Sequence, residues 1–426
     1  METTVKPRRL RVAVQNYDWG RTGEEAAVAR LFSLNDPNSP IDLSLPFAEL
    51  WIGTHPSGPS FLFPDDSDSD GVVPLKDWIL QNPSAVLGSE VTKRWRDDLP
   101  FLFKVLSVSK ALSIQAHPDK ELAEVLHKMR PNVYKDSNHK PEMAIALSEF
   151  KALCGFVSLE ELKDVLTSVP EIGEIVGDEH VDRIMTLKET DACEEIKIAL
   201  QSIYTKLMLA SQETVSEHVS KLMHRLNAEN KDRILTEKEQ LALQLEKQYP
   251  SDIGVISAFF FNYVKLIPGE ALSIGANEPH AYISGECIEC MATSDNVVRA
   301  GLTPKYKDVH TLCSMLTYKQ GFPEVLQGIP LNDHVSRYTP PFDEFEVDRI
   351  SLPPAESLEF PAVPGPSIFI VVAGQGSMQM SSSTAGEMIM EGNAFFVPAK
   401  NEIKFSAGVS GELQLYRAGV NSRFFD

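Results

Sequence analysis

The chain has 426 residues, of which 43% are hydrophobic and 23% are charged, a composition typical of a globular protein. This length exceeds what one hydrophobic core usually supports, so we expect two or three domains. The formal net charge of −20 at pH 7 argues against nucleic acid and anionic membranes as partners, because both require a basic face.

Cysteine usage and the first residues predict the compartment. Five cysteines are few and odd in number for this length, which favours a reducing compartment over a disulfide scaffold. Residues 1–10 contain no apolar run of the kind that a secretory signal has. The apolar segment 255–264 is interrupted by Ser257 and Asn262 and is too short to span a bilayer. We therefore expect a cytoplasmic protein with no membrane partner.

Short strands and loops are predicted for most of residues 1–155. Strand-like runs such as 10–14 and 101–108 alternate with turns that contain Pro and Gly. We interpret the acidic stretch 65–70 as a solvated loop, because it lacks the ligand spacing and the turn glycine of a calcium loop.

Helical patterns dominate residues 156–249. Ser158 and Thr236 each precede a glutamate by three residues, which is the spacing of a capping box at a helix start. Segments 215–226 and 234–245 also predict helices. Between the two caps, apolar residues recur at spacings of four, three and four: Ile196, Leu200, Ile203 and Leu207. Because the candidate ligands described below lie on both sides of this block, we interpret it as a helical insertion in a β-rich domain.

Strand patterns return after the helical block. Residues 255–330 and 350–426 contain many short strands separated by Gly and Pro turns, and Pro340 and Pro341 mark a linker. Such a pattern predicts barrels or double-sheet rolls. The expected fold class is therefore mainly β with a helical insertion.

A weak internal repeat connects the two β regions. Without gaps, residues 269–276 align with residues 392–399, and in this register His280 falls opposite Ile403. No histidine occurs after His334. If both regions are similar barrels, the second has no metal site and serves structure; chance similarity over such a short stretch is the alternative.

Four side chains form a candidate metal site. Gln115 and His117 lie two residues apart in a strand-like run, so their side chains project from the same face. Glu142 adds a carboxylate and His280 adds a second imidazole, which makes a mixed N/O set suited to a catalytic metal. Neighbouring prolines fix the backbone direction beside His117, Glu142 and His280.

Each candidate ligand also has an ordinary interpretation. Taken alone, Gln115 and His117 would be a buried polar pair at a strand end, so the metal hypothesis depends on the full set. If a metal is bound, we expect Asp119 or Asn138 to accept the second N–H of a ligating imidazole.

Cys287 and Cys290 form a CxxC pattern. A structural zinc site would need a second pair at suitable spacing, which the sequence lacks, and the alternating flanks argue against a thioredoxin-type helix start. We therefore interpret both residues as half-buried strand cysteines.

Arg299 and Lys305 lie close together downstream of His280. Most Arg and Lys side chains are simply solvated. On an acidic protein, however, a basic pair after a metal ligand favours an anion clamp, with a bidentate fork from Arg299 and a point charge from Lys305. The chain has no Walker-type glycine loop, so nucleotide binding is not indicated.

Several motifs together resemble the type I phosphomannose isomerase family. They are Asn-Tyr-Asp-Trp-Gly at 16–20, Ala-Glu-Leu-Trp-Ile-Gly-Thr-His-Pro at 48–56, and the segments 112–120, 138–142, 278–282 and 286–305. The resemblance covers most of the catalytic region and implies a cupin-type fold with one zinc ion. The ligands that it implies are Gln115, His117, Glu142 and His280. It also implies that Arg299 is essential and faces the substrate.

The resemblance also implies the reaction. Mannose 6-phosphate and fructose 6-phosphate would interconvert through an enediol, supplying mannose for GDP-mannose synthesis and glycosylation. Several proton-transfer bases are admissible, namely Glu289, Lys140, His139, Asp295 and a zinc-bound water, of which we favour Glu289 or Lys140. The expected substrate contacts are Lys305, Tyr282, Ser113, Trp19, Glu49 and Asp295. Tyr282, Trp19, Glu49 and Ser113 could equally be packing residues. We expect a monomer whose partner is a small sugar phosphate.

Combined with the patterns above, the resemblance divides the chain into three domains. They are a discontinuous catalytic cupin domain at 1–155 and 250–335, a helical insertion domain at 156–249, and a metal-free, cupin-like C-terminal domain at 336–426. Two other functions also fit this layout, a non-catalytic sugar-phosphate sensor and an iron-dependent cupin dioxygenase. Gln115 argues against iron, since redox iron sites usually combine two or three histidines with a carboxylate.

Overall fold

The computed structural model describes residues 5–64, 72–380 and 386–426. The acidic loop predicted at 65–70 lies outside the described residues. The chain is mostly β with a helical insertion, as the sequence predicts. Within the described ranges, every helix is too short or too polar for a membrane span.

The strands of the described residues are numbered in chain order. They are β1 (Arg8–Arg11), β2 (Ala13–Gln15), β3 (Arg21–Thr22), β4 (Pro46–Phe47), β5 (Glu49–Ile52), β6 (Phe61–Leu62), β7 (Phe101–Val108), β8 (Ile114–Ala116), β9 (Glu142–Ala146), β10 (Phe150–Phe156), β11 (Phe261–Leu266), β12 (Ala271–Ile274) and β13 (His280–Ala292). The later strands are β14 (Val298–Gly301), β15 (Val325–Leu326), β16 (Ile329–Pro330), β17 (Val335–Tyr338), β18 (Glu346–Leu352), β19 (Ser357–Phe360), β20 (Ser367–Ala373), β21 (Gln375–Met380), β22 (Glu387–Met390), β23 (Ala394–Val397), β24 (Ile403–Ala407) and β25 (Leu413–Gly419).

The helices are numbered in the same way. They are α1 (Ala27–Asn35), α2 (Leu75–Gln81), α3 (Pro83–Leu87), α4 (Ser89–Trp95), α5 (Lys120–Met129), α6 (Leu159–Ser168), α7 (Pro170–Val176), α8 (Asp178–Thr186), α9 (Cys193–Met208), α10 (Gln212–Glu229), α11 (Glu237–Gln248), α12 (Ile253–Ser257) and α13 (Val309–Met315). Two short 3₁₀ turns occupy Ala258–Phe260 and Ser422–Phe425.

An eleven-stranded sheet carries the candidate site on neighbouring strands. Its longest strand, β13, pairs with β7, β8, β9 and β10. Gln115 on β8 lies opposite both His280 on β13 and Arg299 on β14. Further along β13, Glu289 lies opposite Lys104 on β7. Directly opposed residues in antiparallel strands project from the same face, so the register gathers these side chains into two groups.

Both predicted caps lie at helix starts in the insertion. The side chains of Ser158 and Thr236 each accept the backbone N–H three residues further on, at the starts of α6 and α11. The helix predicted from Ile234 begins at Glu237 instead, because the Thr236 cap defines its first turn. Ile234 is accordingly 89% exposed.

The insertion packs against the sheet through one shared core. Leu200, Ile203 and Leu207 on α9 are buried, as their helical spacing predicts. Their hydrophobic cluster also contains Phe156 of β10 and Phe261 of β11. The helices are therefore continuous in packing with the strands that precede and follow them.

The C-terminal β region consists of two sheets with a hydrophobic core between them. An eight-stranded sheet has the order β16-β17-β18-β25-β20-β23-β1-β6, and a four-stranded sheet has the order β19-β24-β21-β22. Leu10 on β1 lies opposite Ala394 on β23. Two strands from the start of the chain thus belong to the sheet of the C-terminal region. Sequence order alone did not indicate this pairing.

The two segments of the internal repeat have the same local conformation. Gly269 and Gly392 both adopt a left-handed φ, of 92° and 84°, and strands β12 and β23 begin two residues later. The aligned residues His280 and Ile403 each begin the next strand. The repeat therefore corresponds to equivalent turns and strands in the two β regions.

A buried ion cluster lies inside the C-terminal region. The Arg417 guanidinium is 3.0 Å from Glu346 Oε1 and 2.8 Å from Asp348 Oδ2, and its Nε donates to Ser367 Oγ at 2.8 Å. Arg417, Glu346 and Asp348 are each no more than 1% exposed. Buried charges of this kind are tolerated only when all partners are present.

Replacing Arg417 with methionine is therefore expected to destabilise the protein by up to about 3–5 kcal/mol, because Glu346 and Asp348 lose their fully buried counterion and keep only the partly exposed Arg337, at 3.2 and 2.7 Å. Urea unfolding followed by circular dichroism measures the change. The matched control is Arg423→Met, which removes an exposed pair with Asp343 and is expected to cost no more than about 1 kcal/mol. Equal unfolding midpoints for the two variants would contradict this role of the cluster.

Candidate metal centre and cleft

Three of the four predicted ligands meet at one buried point. Glu142 Oε1 lies 3.3 Å from His117 Nε2, and Glu142 Oε2 lies 3.3 Å from His280 Nε2. One ligand atom from each residue lies within 4.8 Å of the other two, and all three side chains are buried. Within the described residues, no other trio of His, Cys, Asp or Glu side chains converges in this way.

Backbone carbonyls fix the tautomers of both histidines. His117 Nδ1 donates to the Asn296 carbonyl at 2.7 Å, and His280 Nδ1 donates to the Glu278 carbonyl at 3.0 Å. Each Nε2 atom therefore carries a lone pair, and both Nε2 atoms are buried without a hydrogen-bond partner. A buried acceptor without a partner raises the free energy of the folded state unless a cation binds it. The donor set fits zinc, which prefers tetrahedral nitrogen and oxygen ligands.

The prediction that Asp119 or Asn138 orients the ligating imidazoles was wrong. Asp119 caps α5 and accepts from Asn277 Nδ2 at 2.9 Å, while Asn138 Nδ2 donates to the Thr293 carbonyl. Main-chain carbonyls orient the imidazoles instead. Because every residue has a main-chain carbonyl, the residue types in the sequence could not indicate this role.

The protonation states suit a divalent cation. Burial, with the charge of Lys140 in addition, lowers the pKa of His117 to about 4, so its imidazole is neutral at pH 7. Burial alone would raise the pKa of Glu142, but the Lys140 ammonium, 2.9 Å away, outweighs it and holds the pKa well below its usual range. A neutral imidazole and an ionised carboxylate are the forms that bind metals.

Gln115 faces the same recess. Its Oε1 accepts from Ser113 Oγ at 2.9 Å, and β-sheet register places it beside His280. Gln115, Glu142 and His280 line an inner recess of about 60 Å³. The fourth predicted ligand thus borders the same space as two of the other three.

Lys104 is a site residue that the sequence analysis missed. Its Nζ lies 3.1 Å from Glu49 Oε2 and 3.0 Å from Glu289 Oε2, and the residue is only 6% exposed. Burial alone would lower the pKa of Lys104, but Glu289 and Glu49 outweigh it and raise the pKa above its ordinary value. A signal was available in the sequence, because Lys104 is the only charged residue of β7, whose other residues are all apolar except Ser107, and lysine is rarely buried unpaired.

The candidate bases occupy different surroundings. Burial raises the pKa of Glu289 despite Lys104, with Glu142 and Glu49 adding to the effect. Lys140 Nζ lies 2.9 Å from Glu142 Oε1. His139, by contrast, pairs through Nε2 with Glu344 Oε1 at 2.6 Å and does not line the cleft. Glu289 and Lys140 both border the inner recess, so the two favoured candidates lie together and His139 does not join them.

An outer cleft of about 680 Å³ leads to the recess. Most of the residues predicted for the substrate line it: Trp19, Glu49, Ser113, Lys140, Asp295, Arg299 and Lys305. Tyr282 lines the inner recess instead. The two spaces share Glu49, Lys104, Leu112, Ser113, Gln115 and Lys140. A ligand in the cleft therefore has direct access to the candidate metal centre.

The basic residues of the cleft differ in exposure. Burial lowers the pKa of Arg299, and no carboxylate among the described residues offsets this effect. Lys305 is exposed. In the same cleft, His55 Nε2 lies 3.3 Å from Asp295 Oδ1, and this contact lowers the pKa of Asp295. Arg299 is thus a partly buried cation that faces a cavity without a protein counterion.

The helical insertion also contributes to the cleft. Gln248 and Tyr249, at the end of α11, line its wall. Gln248 Oε1 accepts from the Ala111 N–H at 3.0 Å, and the Tyr249 hydroxyl donates to the Ala111 carbonyl at 2.6 Å. The insertion therefore binds both the N–H and the carbonyl of Ala111, which lies just before strand β8.

The CxxC cysteines lie within β13, as predicted, but both are fully buried. Both are free thiols, and burial raises the pKa of each well above its ordinary value. These thiols are therefore protonated and inaccessible, which agrees with a packing role and not with redox chemistry.

Two family models match the chain. The model described as phosphomannose isomerase type I, catalytic domain, matches residues 8–159. The model described as phosphomannose isomerase type I, helical insertion domain, matches residues 175–261.

Known proteins and structures match along nearly the whole chain. Mannose-6-phosphate isomerase 2 of Arabidopsis thaliana is 57% identical over 98% of this chain and 94% of its own length. The mannose-6-phosphate isomerase of Homo sapiens is 40% identical, with 96% and 97% covered. A crystal structure of a mutant phosphomannose isomerase from Salmonella typhimurium has a TM-score of 0.81 at 27% identity, covering 98% of this chain and 100% of that one. A zinc-bound mannose 6-phosphate isomerase structure has a TM-score of 0.79 at 27% identity, with the same coverage. The chain therefore belongs to the type I phosphomannose isomerases, a family of isomerase enzymes.

Proposed function

We propose that the protein interconverts mannose 6-phosphate and fructose 6-phosphate with one zinc ion per chain. The observation that carries the proposal is the buried meeting of His117, Glu142 and His280, with two unpartnered Nε2 atoms, at the end of a cleft that contains Arg299. The names of the relatives, which are mannose-6-phosphate isomerases, support this substrate.

The zinc ligands in this proposal are Gln115, His117, Glu142 and His280. When bound, zinc would act as a Lewis acid on the sugar oxygens at C1 and C2. The protein supplies two neutral imidazoles, a neutral amide and one carboxylate, so the occupied centre keeps a net positive charge. Its burial removes competing water and strengthens this charge stabilisation.

Isomerisation moves one proton from C2 to C1 through an enediol, while a second proton passes from O2 to O1. We propose Glu289 as the base at carbon, with Lys140 as the alternative. Burial raises the pKa of Glu289, which makes this carboxylate a stronger base than an exposed one. Lys104 holds Glu289 in place through its 3.0 Å contact.

Arg299 and Lys305 are proposed to hold the anionic part of the substrate. Arg299 lacks a protein counterion among the described residues and is partly buried, which favours a strong contact with phosphate or with the enediol oxygen. Anchoring the phosphate would position C1 and C2 at the inner recess. The proposed further contacts of the sugar are Tyr282, Ser113, Trp19, Glu49 and Asp295.

We propose cupin-type barrels for both β regions, with the domain boundaries given by the sequence analysis except that β1 and β6 join the C-terminal sheet. The equivalent turns and strands of the internal repeat support this assignment. At the repeat position of His280 the C-terminal region has Ile403, which is buried in an apolar cluster, so we propose that this region binds no metal. A supply of mannose for GDP-mannose synthesis, a cytoplasmic location and a monomeric state remain predictions.

A coupled assay tests the proposal. Mannose 6-phosphate is supplied, and the fructose 6-phosphate formed is followed through auxiliary enzymes. We expect turnover that is lost after chelation and restored by one equivalent of zinc per chain. Binding of sugar phosphate without turnover would instead favour the non-catalytic sensor, and iron in the purified protein would favour the dioxygenase.

A further inference from the structure

The loop 293–297 between β13 and β14 carries two groups of the candidate site. The Asn296 carbonyl accepts the Nδ1 proton of His117 at 2.7 Å, and Asp295 reaches the cleft wall. Neither group belongs to a strand, so the position of both depends on what holds the loop.

One carboxylate, that of Asp136, binds three consecutive residues of this loop. Its Oδ1 accepts from Ser294 Oγ at 2.8 Å and from Asn296 Nδ2 at 3.2 Å, and its Oδ2 accepts from the Asp295 N–H at 2.8 Å. The Asp136 carbonyl also accepts from Asn296 Nδ2 at 2.7 Å. Within its own segment, Oδ1 accepts from the Asn138 N–H at 2.9 Å.

Asp136 therefore links two segments that flank the metal centre. Its own segment leads through Lys140 into Glu142, and the loop that it binds leads into Arg299. Asn296 is fully buried, and its amide donates to Asp136 Oδ1 and to the carbonyls of Asp136 and Asn138, so the Asp136 carboxylate is one of the groups that hold the Asn296 carbonyl in place. A charged acceptor forms stronger hydrogen bonds than a neutral one, which suits a residue that receives several donors at once.

We propose that Asp136 is a positioning residue for the metal centre, acting on zinc affinity through Asn296 and His117. The inference depends on the proposed function, since it assumes that zinc occupies the site. Groups that orient a ligating imidazole typically change metal affinity or activity by about 10- to 100-fold when they are removed. Asp136 stands one step behind such a group, because it helps to hold the carbonyl that orients His117.

The test is zinc affinity, measured by competition with a chromophoric chelator and without substrate. Asp136→Asn is expected to bind zinc about 10- to 100-fold more weakly than the wild type. The thermal midpoint of its zinc-free form should change little, because Asp136 lies in a loop and not in a hydrophobic core. The matched control is Asp42→Asn. Asp42 Oδ1 accepts from the backbone N–H and Oγ of Ser44 at 3.0 and 2.6 Å, in a loop with no contact to the site.

A second variant keeps the test decisive if Asp136→Asn fails to fold. Asn296→Ala retains the main-chain carbonyl but removes the side chain that Asp136 binds, and it should weaken zinc binding to a similar extent. In the double variant the losses should not add, because both changes break the same link. Zinc affinities within about twofold of the wild type in the folded single variants would overturn the proposal. A wild type that binds zinc but does not isomerise the sugar would defeat the proposed function alone, since the affinity comparison needs no turnover.

Discussion

Glu142→Gln is expected to lose zinc and to lower kcat/KM by more than about 1,000-fold, because metal polarisation supplies several kcal/mol of the lowered barrier. Glu142 is the one anionic ligand candidate, and its two oxygens face the Nε2 atoms of His117 and His280. A neutral amide of nearly the same shape removes the charge that draws the cation in. Zinc per chain, measured by elemental analysis, and the coupled assay give the two readouts.

The control for this variant is Glu391→Gln, which changes a glutamate paired with Arg30 outside the candidate site. It should keep full zinc content and activity. Circular dichroism establishes that both variants are folded. A folded Glu142→Gln protein with one zinc per chain and wild-type turnover would contradict the proposed centre.

Arg299→Ala is expected to keep its zinc yet lose about 100- to 1,000-fold in kcat/KM, the range found when one charge-stabilising donor is removed. Arg299 lies on β14 opposite Gln115, and its side chain lines the cleft. Truncation therefore removes a cation from the substrate side without touching the proposed zinc ligands. Separate measurement of kcat and KM distinguishes lost phosphate binding from lost stabilisation of the enediol.

Arg299→Lys serves as the comparison, because it keeps the charge but loses the bidentate fork. Its activity should lie between that of the alanine variant and that of the wild type. Lost zinc in Arg299→Ala would show that the residue supports the metal centre. Unchanged kcat/KM would show that Arg299 does not act on the substrate.

Local sequence patterns predicted much of the fold and of the candidate site. The caps at Ser158 and Thr236 mark real helix starts, because a cap depends only on residues within one turn. Gln115 lies on β8, as its strand-like run predicts, whereas His117 directly follows the last residue of that strand, Ala116. His280 and Glu142 could be named only as members of a set, and the set became a site once the sheet brought its members together.

Contacts between distant segments could not be predicted from local sequence patterns. The carbonyls of Asn296 and Glu278 orient the histidines, but a main-chain group is the same in every residue. The hydrogen bond from the Tyr249 hydroxyl to the Ala111 carbonyl and the pairing of β1 with β23 depend on how distant segments pack. Lys104 is different, since a lone lysine in an apolar strand was visible and could have been interpreted as a buried ion pair.

The most direct test of the central claim is anomalous diffraction at the zinc absorption edge from crystals of the wild-type protein. One peak per chain is predicted, about 2.0–2.2 Å from the Nε2 atoms of His117 and His280 and from the nearer Glu142 oxygen. A zinc-loaded crystal whose peak lies elsewhere, or which shows no peak between these three side chains, would contradict the account.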